Sequence, residues 1–463
     1  SQFFSPKYNR RTDEYGGSYE NRVRFPKEIL KAIRTALGKN YPIDMRISAY
    51  EDFEGCMSKE EVIQFIKDVS DEGYIDCVNV SYGGELTGNG NTFQVPSAFD
   101  KDMCYAEYAA EIKKVVKVPV IVVGKIMIPE EAEMIIEKQM ADAVVIGRAS
   151  IADPYWAKKA FECRSEDIVP CISCGKCFSK RCSVNIRGYM ENLVPLKLEK
   201  DIETKKVMIV GGGPAGMKAA LTASEKGYDV VLYEASNALG GLLKTADYDE
   251  NKRELKRYKD YLINQVNKTP VEIKLNTPVT RHMIVEENPD QLILAMGSLP
   301  ITPKIEGVEN AIQSVIAHEQ IDNIGKNVVL IGGGLVGCEF ALTLALRGHS
   351  VSIIERTSIY GGMNDDTTFR PYDMIKNMSS INVYLNSNCN KITKDSVIFI
   401  NEQGEEISIP SDTTILSVGF RSNNDKLDEY YGIVPNTIVI GDLRRPSCVR
   451  DCEEEGYFSV ANI

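Results

Sequence analysis

The chain has 463 residues, 43% of them hydrophobic, and a formal net charge of −12. At ~150 residues per domain the length suggests about three domains, and the acidity, with no local basic patch to offset it, argues against a nucleic-acid surface. No apolar run approaches the ~20 residues that cross a bilayer, and no signal-peptide pattern opens the chain.

Four of the twelve cysteines cluster at 171–182; the others are scattered, several inside apolar runs such as "IDCVNVS" around Cys77. Those read as small buried hydrophobes, which points to a reducing, cytoplasmic setting. The chain opens at "SQFFSPKYNRR" without Met and ends in mid-pattern at "GYFSVANI". Both ends are read as those of a fragment.

Over residues 1–162, strand-like runs recur at 44–48, 77–81, 119–124 and 143–147. Helical patterns lie between them. "SKEEVIQFIKDVSDEG" opens with a capping box from Ser58 to Glu61, and "PEEAEMIIEKQ" starts with Pro129 at a first-turn position. Strand–helix alternation with nearly all-apolar strands predicts a parallel sheet covered on both faces. Four βα units make half of a (β/α)8 barrel, so the other half is expected upstream or from another chain; a small self-contained α/β layer is the alternative. At strand C-terminal ends stand Arg46, Gly83-Gly84, Gly124-Lys125 and Gly147-Arg148. Two Gly–cation pairs at consecutive strand ends suit a phosphate, because the backbone can approach its oxygens while the cation neutralises them. Taken singly, each is an ordinary loop charge.

"SPKYNRRTDEYGGSYENRVRF" (5–25), "RISAYEDFEG" and "VIGRASIADPYWAKKA" resemble the old yellow enzyme class in its large multidomain branch. That branch includes bacterial 2,4-dienoyl-CoA reductase, clostridial enoate reductase, bile-acid and steroid enone reductases and trimethylamine dehydrogenase. The resemblance implies FMN in the barrel, with Arg46 facing the N1/C2=O edge of its ring and Lys125, Gly147 and Arg148 on its phosphate. It also implies a Tyr proton donor on the segment just before "QFFSP", so the catalytic acid is expected before Ser1.

Residues 163–203 carry Cys171, Cys174, Cys177 and Cys182. A C-x2-C-x2-C run brings three thiolates to one metal centre and leaves loops too short for sensible disulfides. Zinc would fit four cysteines in isolation. Lying between an FMN-type barrel and an FAD-type domain, and followed by "CSVN" as in the resembled family, the run is assigned a [4Fe–4S] cluster. Its last gap is short, four residues, which makes Cys182 the least secure ligand and Cys163 the alternative.

Further along, "VMIVGGGPAGMKAALTASEKGYDVVLYE" (207–234) aligns without a gap on "VVLIGGGLVGCEFALTLALRGHSVSIIE" (328–355), with eleven identities over 28 positions. Each copy is strand, G-x-G-x-x-G, helix, strand, acid: Gly211, Gly213, Gly216 and Glu234, then Gly332, Gly334, Gly337 and Glu355. These are two dinucleotide folds. "AMGSLPITPKIEG" (295–307), "TTILSVGF" (413–420) and "TIVIGDLRRPS" (437–447) resemble the connecting and closing segments of two-dinucleotide flavoproteins. By that resemblance FAD occupies 204–307 with 411–463, aided by Gly241 and Asp442, and the nicotinamide nucleotide occupies 308–410. Glu355 favours NADH, because a carboxylate repels a 2′-phosphate; Arg356 beside it keeps NADPH open. Gly240-Gly241 is followed by "LLKTADY", without the Cys pair of disulfide reductases, so dithiol chemistry is not expected at this FAD.

The expected activity is reduction of the C=C bond of an α,β-unsaturated carbonyl compound by NADH, through FAD, [4Fe–4S] and FMN. The rivals are an amine dehydrogenase and a non-catalytic electron-transfer subunit. The expected partner is a small enone or enoyl thioester, with no nucleic acid and no membrane; a homo-oligomer stays open.

Overall fold

Residues 2–51, 53–83, 95–358 and 369–461 are described in this computed structural model. They divide into two units, Ser1–Ser150 with Pro154–Ser165, and Ile151–Asp153 with Glu166–Ile463.

In the first unit, β1 (Asp44–Ser48), β2 (Cys77–Ser81), β3 (Val120–Val122) and β4 (Ala143–Val144) form one parallel sheet in sequential order. That is the strand order of a (β/α)8 barrel segment. The helix Lys59–Asp71 starts on the complete Ser58–Glu61 capping box, and the helix Pro129–Glu137 has Pro129 in its first turn. Val78, Val80, Val120 and Val122 are at most 1% exposed and pack with Phe65, Ile66, Ala109, Ile112 and Ile135. Each such side chain contributes ~1.5–3 kcal/mol of burial. The expectation of strands apolar on both faces fails at β1, whose burial alternates, with Met45 and Ile47 packed on the core and Arg46 exposed. Only the helix-facing side of that strand is apolar.

The second unit contains the repeat. β5 (Lys206–Val210), β6 (Asp229–Tyr233), β7 (Glu272–Lys274) and β8 (Gln291–Leu294) enter one parallel sheet, and β9 (Ser298–Pro300) leaves it. β10 (Ala311–Gln313), β11 (Asn327–Ile331), β12 (Ser350–Ile354) and β13 (Ile381–Tyr384) enter a second. An antiparallel meander follows: β14 (Asn388–Ile392), β15 (Ser396–Ile400) and β16 (Glu406–Pro410). β17 (Thr413–Leu416) then pairs with both β10 and β11, so the second sheet runs β10-β17-β11-β12-β13. This corrects the boundary placed at residue 411. "TTIL" is an interior strand of this second sheet, between β10 and β11, and the chain returns only at β18 (Phe420–Ser422), which pairs antiparallel with β9. β19 (Thr437–Val439) completes the first sheet as β19-β8-β5-β6-β7. The helix Val449–Ala461 packs on the helix Pro214–Glu225, closing the first sheet's core.

Candidate cofactor sites

In both parallel sheets the strand order reverses beside the strand that leads into the glycine motif, between β5 and β8 and between β11 and β17, and open sheets bind ligands at such switch points. A cavity of about 470 Å³ opens at the first, lined by Gly211, Gly213, Glu234, Gly241, Gly297, Ser298 and Asp442 among others. A larger one, about 1050 Å³, opens at the second, lined by Gly332, Gly334, Glu355, Arg356 and Ser417 among others.

The two are built alike. Gly211 and Gly332 have φ of 112° and 105°, and a Cβ on either would collide with a backbone carbonyl, of Ala295 or Ser417. Only glycine lets each strand end pass so close to its neighbour. Gly216 and Gly337 lie outside both linings; they let each helix press on the Gly211 or Gly332 carbonyl. The helices Pro214–Glu225 and Leu335–Leu346 start at the cavities, with Gly213 and Gly334 as N-caps, and offer unpaired N–H groups to a pyrophosphate.

The acids are held by matching backbone amides. Glu234 Oε2 accepts the Gly212 amide at 2.8 Å, and Oε1 accepts the Ser236 amide at 2.8 Å. Glu355 Oε2 accepts the Gly333 amide at 2.7 Å, and Oε1 accepts the Thr357 amide at 2.9 Å and its hydroxyl at 2.7 Å. These bonds fix both carboxylates in place and leave lone pairs for ribose hydroxyls. Asp442 Oδ1 accepts the Ser447 amide and Oδ2 the Ser298 hydroxyl, each at 3.0 Å. Burial nevertheless pushes its carboxyl above the usual range.

Sequence reasoning missed two thiols in the first cavity. Cys448 and Cys452 line it from the start of the last helix, one turn apart, both unbridged. Burial pushes both thiols up. The Cys-x3-Cys spacing was visible, but its proximity to this cavity depends on the long-range return of the chain.

The cysteine segment packs on the same core. Ile172 and Val184 are buried in it, with Cys171, Cys174 and Cys182 against it. All four cysteines of the run are unbridged and partly buried. Burial, with Cys174 and Cys177 close by, pushes the Cys182 thiol up. The Ser173 amide donates to Cys171 Sγ at 3.4 Å, and the Cys174 thiol donates to Ser183 Oγ at 3.2 Å. Arg181, beside Cys182, pairs at 3.3 Å with Glu454 of the last helix. Among the described residues no group of three or more His, Cys, Asp or Glu side chains is arranged to hold a metal ion. The donor set, four soft sulfurs with an N–H aimed at one of them, fits a thiolate-bound centre in its chemistry. Cys163 is exposed and belongs to the first unit.

In the first unit the expected phosphate residues divide. Gly147 has open space where a Cβ would stand, and Arg148 opens the short helix Arg148–Ala152, half-buried. Lys125 differs from its expected role. It is 3% exposed, donates to the carbonyls of Ala98 at 3.0 Å and Asp100 at 2.6 Å, and pairs with Asp102 at 3.4 Å. Its ammonium group holds the 98–102 loop. Gly124 beside it makes room for the Tyr105 ring. Arg46 lies mid-strand in β1, opposite Asn79, rather than at the strand end. Gly83 ends β2's loop at Tyr50, its amide donating to that carbonyl at 2.8 Å, while Gly84 lies outside the described residues.

A βα sheet of barrel order joined to two switch-point dinucleotide cavities defines a modular flavin- and nicotinamide-dependent oxidoreductase. The chain belongs to the NADH:flavin oxidoreductase / NADH oxidase family, whose model matches residues 1–167; residues 205–440 match the pyridine nucleotide-disulphide oxidoreductase model. It is 37% identical to an NADH oxidase of Thermoanaerobacter brockii, over 98% of this chain and 72% of that one. It is 32% identical to a cinnamate reductase of Clostridium sporogenes, over 100% of this chain and 72% of that one. Among solved structures, a 2-naphthoyl-CoA reductase in complex with 2-naphthoyl-CoA superposes with a TM-score of 0.89 at 29% identity, covering 100% of this chain and 71% of that one. The protein is thus an NAD(P)H:flavin oxidoreductase. No helix among its described residues is long and apolar enough to cross a membrane.

Proposed function

We propose that the protein uses NADH to reduce the C=C bond of an α,β-unsaturated carbonyl compound: an enoate, an enoyl thioester or a cyclic enone. The observation that carries this reading is the pair of like-built cavities in one unit, each with a fixed acid and a helix N-terminus. Similarity to a cinnamate reductase and a 2-naphthoyl-CoA reductase supports the substrate class.

On this reading FAD lies in the first cavity, NADH in the second, FMN in the first unit and a [4Fe–4S] cluster on Cys171, Cys174, Cys177 and Cys182. When bound, flavins would supply hydride and single-electron chemistry, and a cluster held by the four cysteines would supply single-electron transfer. The chain's own residues bind and orient. Glu234 and Glu355 accept from ribose hydroxyls, the Gly213 and Gly334 helix starts meet the pyrophosphates, and Asp442 with Ser298 forms a polar wall. Gly147 and Arg148 fit a phosphate; Arg46 offers a cation on the sheet's open face. The catalytic proton donor is not among the residues assigned.

Anaerobic reconstitution with iron, sulfide, FMN and FAD, followed by NADH titration, tests the reading. Both flavins should bleach, and cinnamate, an enoyl thioester or a steroid enone should reoxidise them. FMN that stays oxidised beside reduced FAD would count against the relay. Failure of all three substrates would count against the substrate class.

A further inference from the structure

The turn 249–252 belongs to the flavin side. It follows the 3-10 segment Gly241–Asp247, whose first residue lines the first cavity. The helix Leu335–Leu346 belongs to the nucleotide side, and its opening residues Leu335 and Val336 line the second cavity.

Turn and helix meet along Glu339, Thr343 and Arg347, spaced i, i+4, i+8 on one helical face. Lys252 pairs with Glu339 at 3.2 Å, and Arg347 with Glu250 at 3.0 Å. Between these outer pairs the Thr343 hydroxyl donates to Asp249 Oδ1 at 2.9 Å and accepts from Asn251 Nδ2 at 2.9 Å. Asp249 Oδ1 also accepts the Asn251 amide at 2.9 Å. Asp249 is 3% exposed and Thr343 2%. Burial alone would raise the Asp249 carboxyl, but His318, Lys252, Asn251 and Thr343 together hold it below the usual range. His318 stacks on Phe340 of the same helix, with centroids 3.8 Å apart.

Exposed ion pairs such as Arg347–Glu250 contribute little, whereas a buried hydrogen bond leaves a costly orphan when one partner is removed. The grip of this contact is therefore at Asp249 and Thr343. Neither residue lines either cavity.

We propose that Asp249, Asn251 and Thr343 are positioning residues, a clasp that sets the register between the nicotinamide and flavin cavities and so the rate of hydride transfer between them. The inference rests on the reading of these cavities as NAD(P)H and flavin sites. In the step concerned NADH gives up one hydride, with its two electrons, and becomes NAD⁺; the oxidised flavin gains that hydride. Such a step needs reacting atoms ~3–3.5 Å apart, and a misplacement of ~1 Å costs ~10²-fold.

The test uses the flavin-loaded full chain in anaerobic stopped-flow reduction by NADH. Thr343→Val should lower the limiting rate about tenfold or more, leaving flavin content, half-saturating NADH and the rate of reduction by dithionite unchanged. Thr343→Ser, which keeps the hydroxyl, should restore the rate. Asn251→Ala, at the partly exposed edge of the turn, should show a smaller loss of the same kind and serves if Thr343→Val does not fold. A Thr343→Val or Asn251→Ala protein reduced as fast as the wild type, or losing flavin in proportion to rate, overturns the clasp. A wild type that neither NADH nor NADPH reduces overturns the reading of the cavities instead.

Discussion

Gly333 donates its backbone N–H to Oε2 of Glu355 at 2.7 Å, which fixes the carboxylate in the lining of the second cavity. Glu355 is only 9% exposed, whereas Arg356 is exposed. A fixed, buried carboxylate accepts two ribose hydroxyls and repels a 2′-phosphate. Glu355→Ala should raise the KM for NADH about tenfold, a loss of ~1.4 kcal/mol, and lower it for NADPH. Steady-state kinetics with both nucleotides measures this. An unchanged NADH:NADPH ratio would assign the preference to another residue.

The repeat was legible because a dinucleotide fold is written locally: glycines, helix and acid fall within 28 residues, and Gly211 and Gly332 perform the same contact in both copies. The capping box at Ser58 was legible for the same reason. What escaped depends on distant partners. Lys125 follows a glycine at a strand end, as a phosphate cation would, yet its acceptors lie at Ala98 and Asp100 on a loop no local pattern attaches to it. β17 reads as a strand of either sheet, and only its pairing with both β10 and β11 decides. Cys448 and Cys452 reach the first cavity because the last helix folds back on Pro214–Glu225.

Lys125 and Arg148, adjacent in expectation, should therefore behave differently. Lys125→Met leaves two loop carbonyls and Asp102 without its charge, and should destabilise the protein by about 3 kcal/mol. Arg148→Met should weaken FMN binding about tenfold or more with little change in stability. Thermal unfolding beside FMN titration separates the two. Equal stability losses would mean that Arg148 also holds structure.

Cys182 and Cys163 are distinguished by metal content. Cys182 packs against the second unit's core with Cys171 and Cys174, and Cys163 is exposed in the other unit. After anaerobic reconstitution, Cys182→Ser should lose most iron, sulfide and visible cluster absorption, and Cys163→Ser should match the wild type. The opposite pattern would move the fourth ligand to Cys163.

Glu287 gives a pH-dependent prediction away from the cofactors. Its carboxylate joins three strands: it pairs with Lys206 of β5 at 2.8 Å, accepts from Tyr233 of β6 at 2.8 Å and meets Lys274 of β7 at 3.4 Å. The Lys206 bond, then Tyr233, lowers its pKa from 4.5 to about 2. A lowered folded-state pKa contributes stability that is present above the unfolded value and disappears as pH falls through the folded one. Glu287→Gln keeps an acceptor for Tyr233 but loses both ion pairs. It should lower stability by about 1 kcal/mol at pH 7, a modest amount because the group is partly exposed. The difference in urea midpoint between Glu287→Gln and the wild type should narrow steadily below pH 4.5 and close near pH 2. If that difference stays constant across the range, the stabilisation comes from the shape of the side chain and not from its charge.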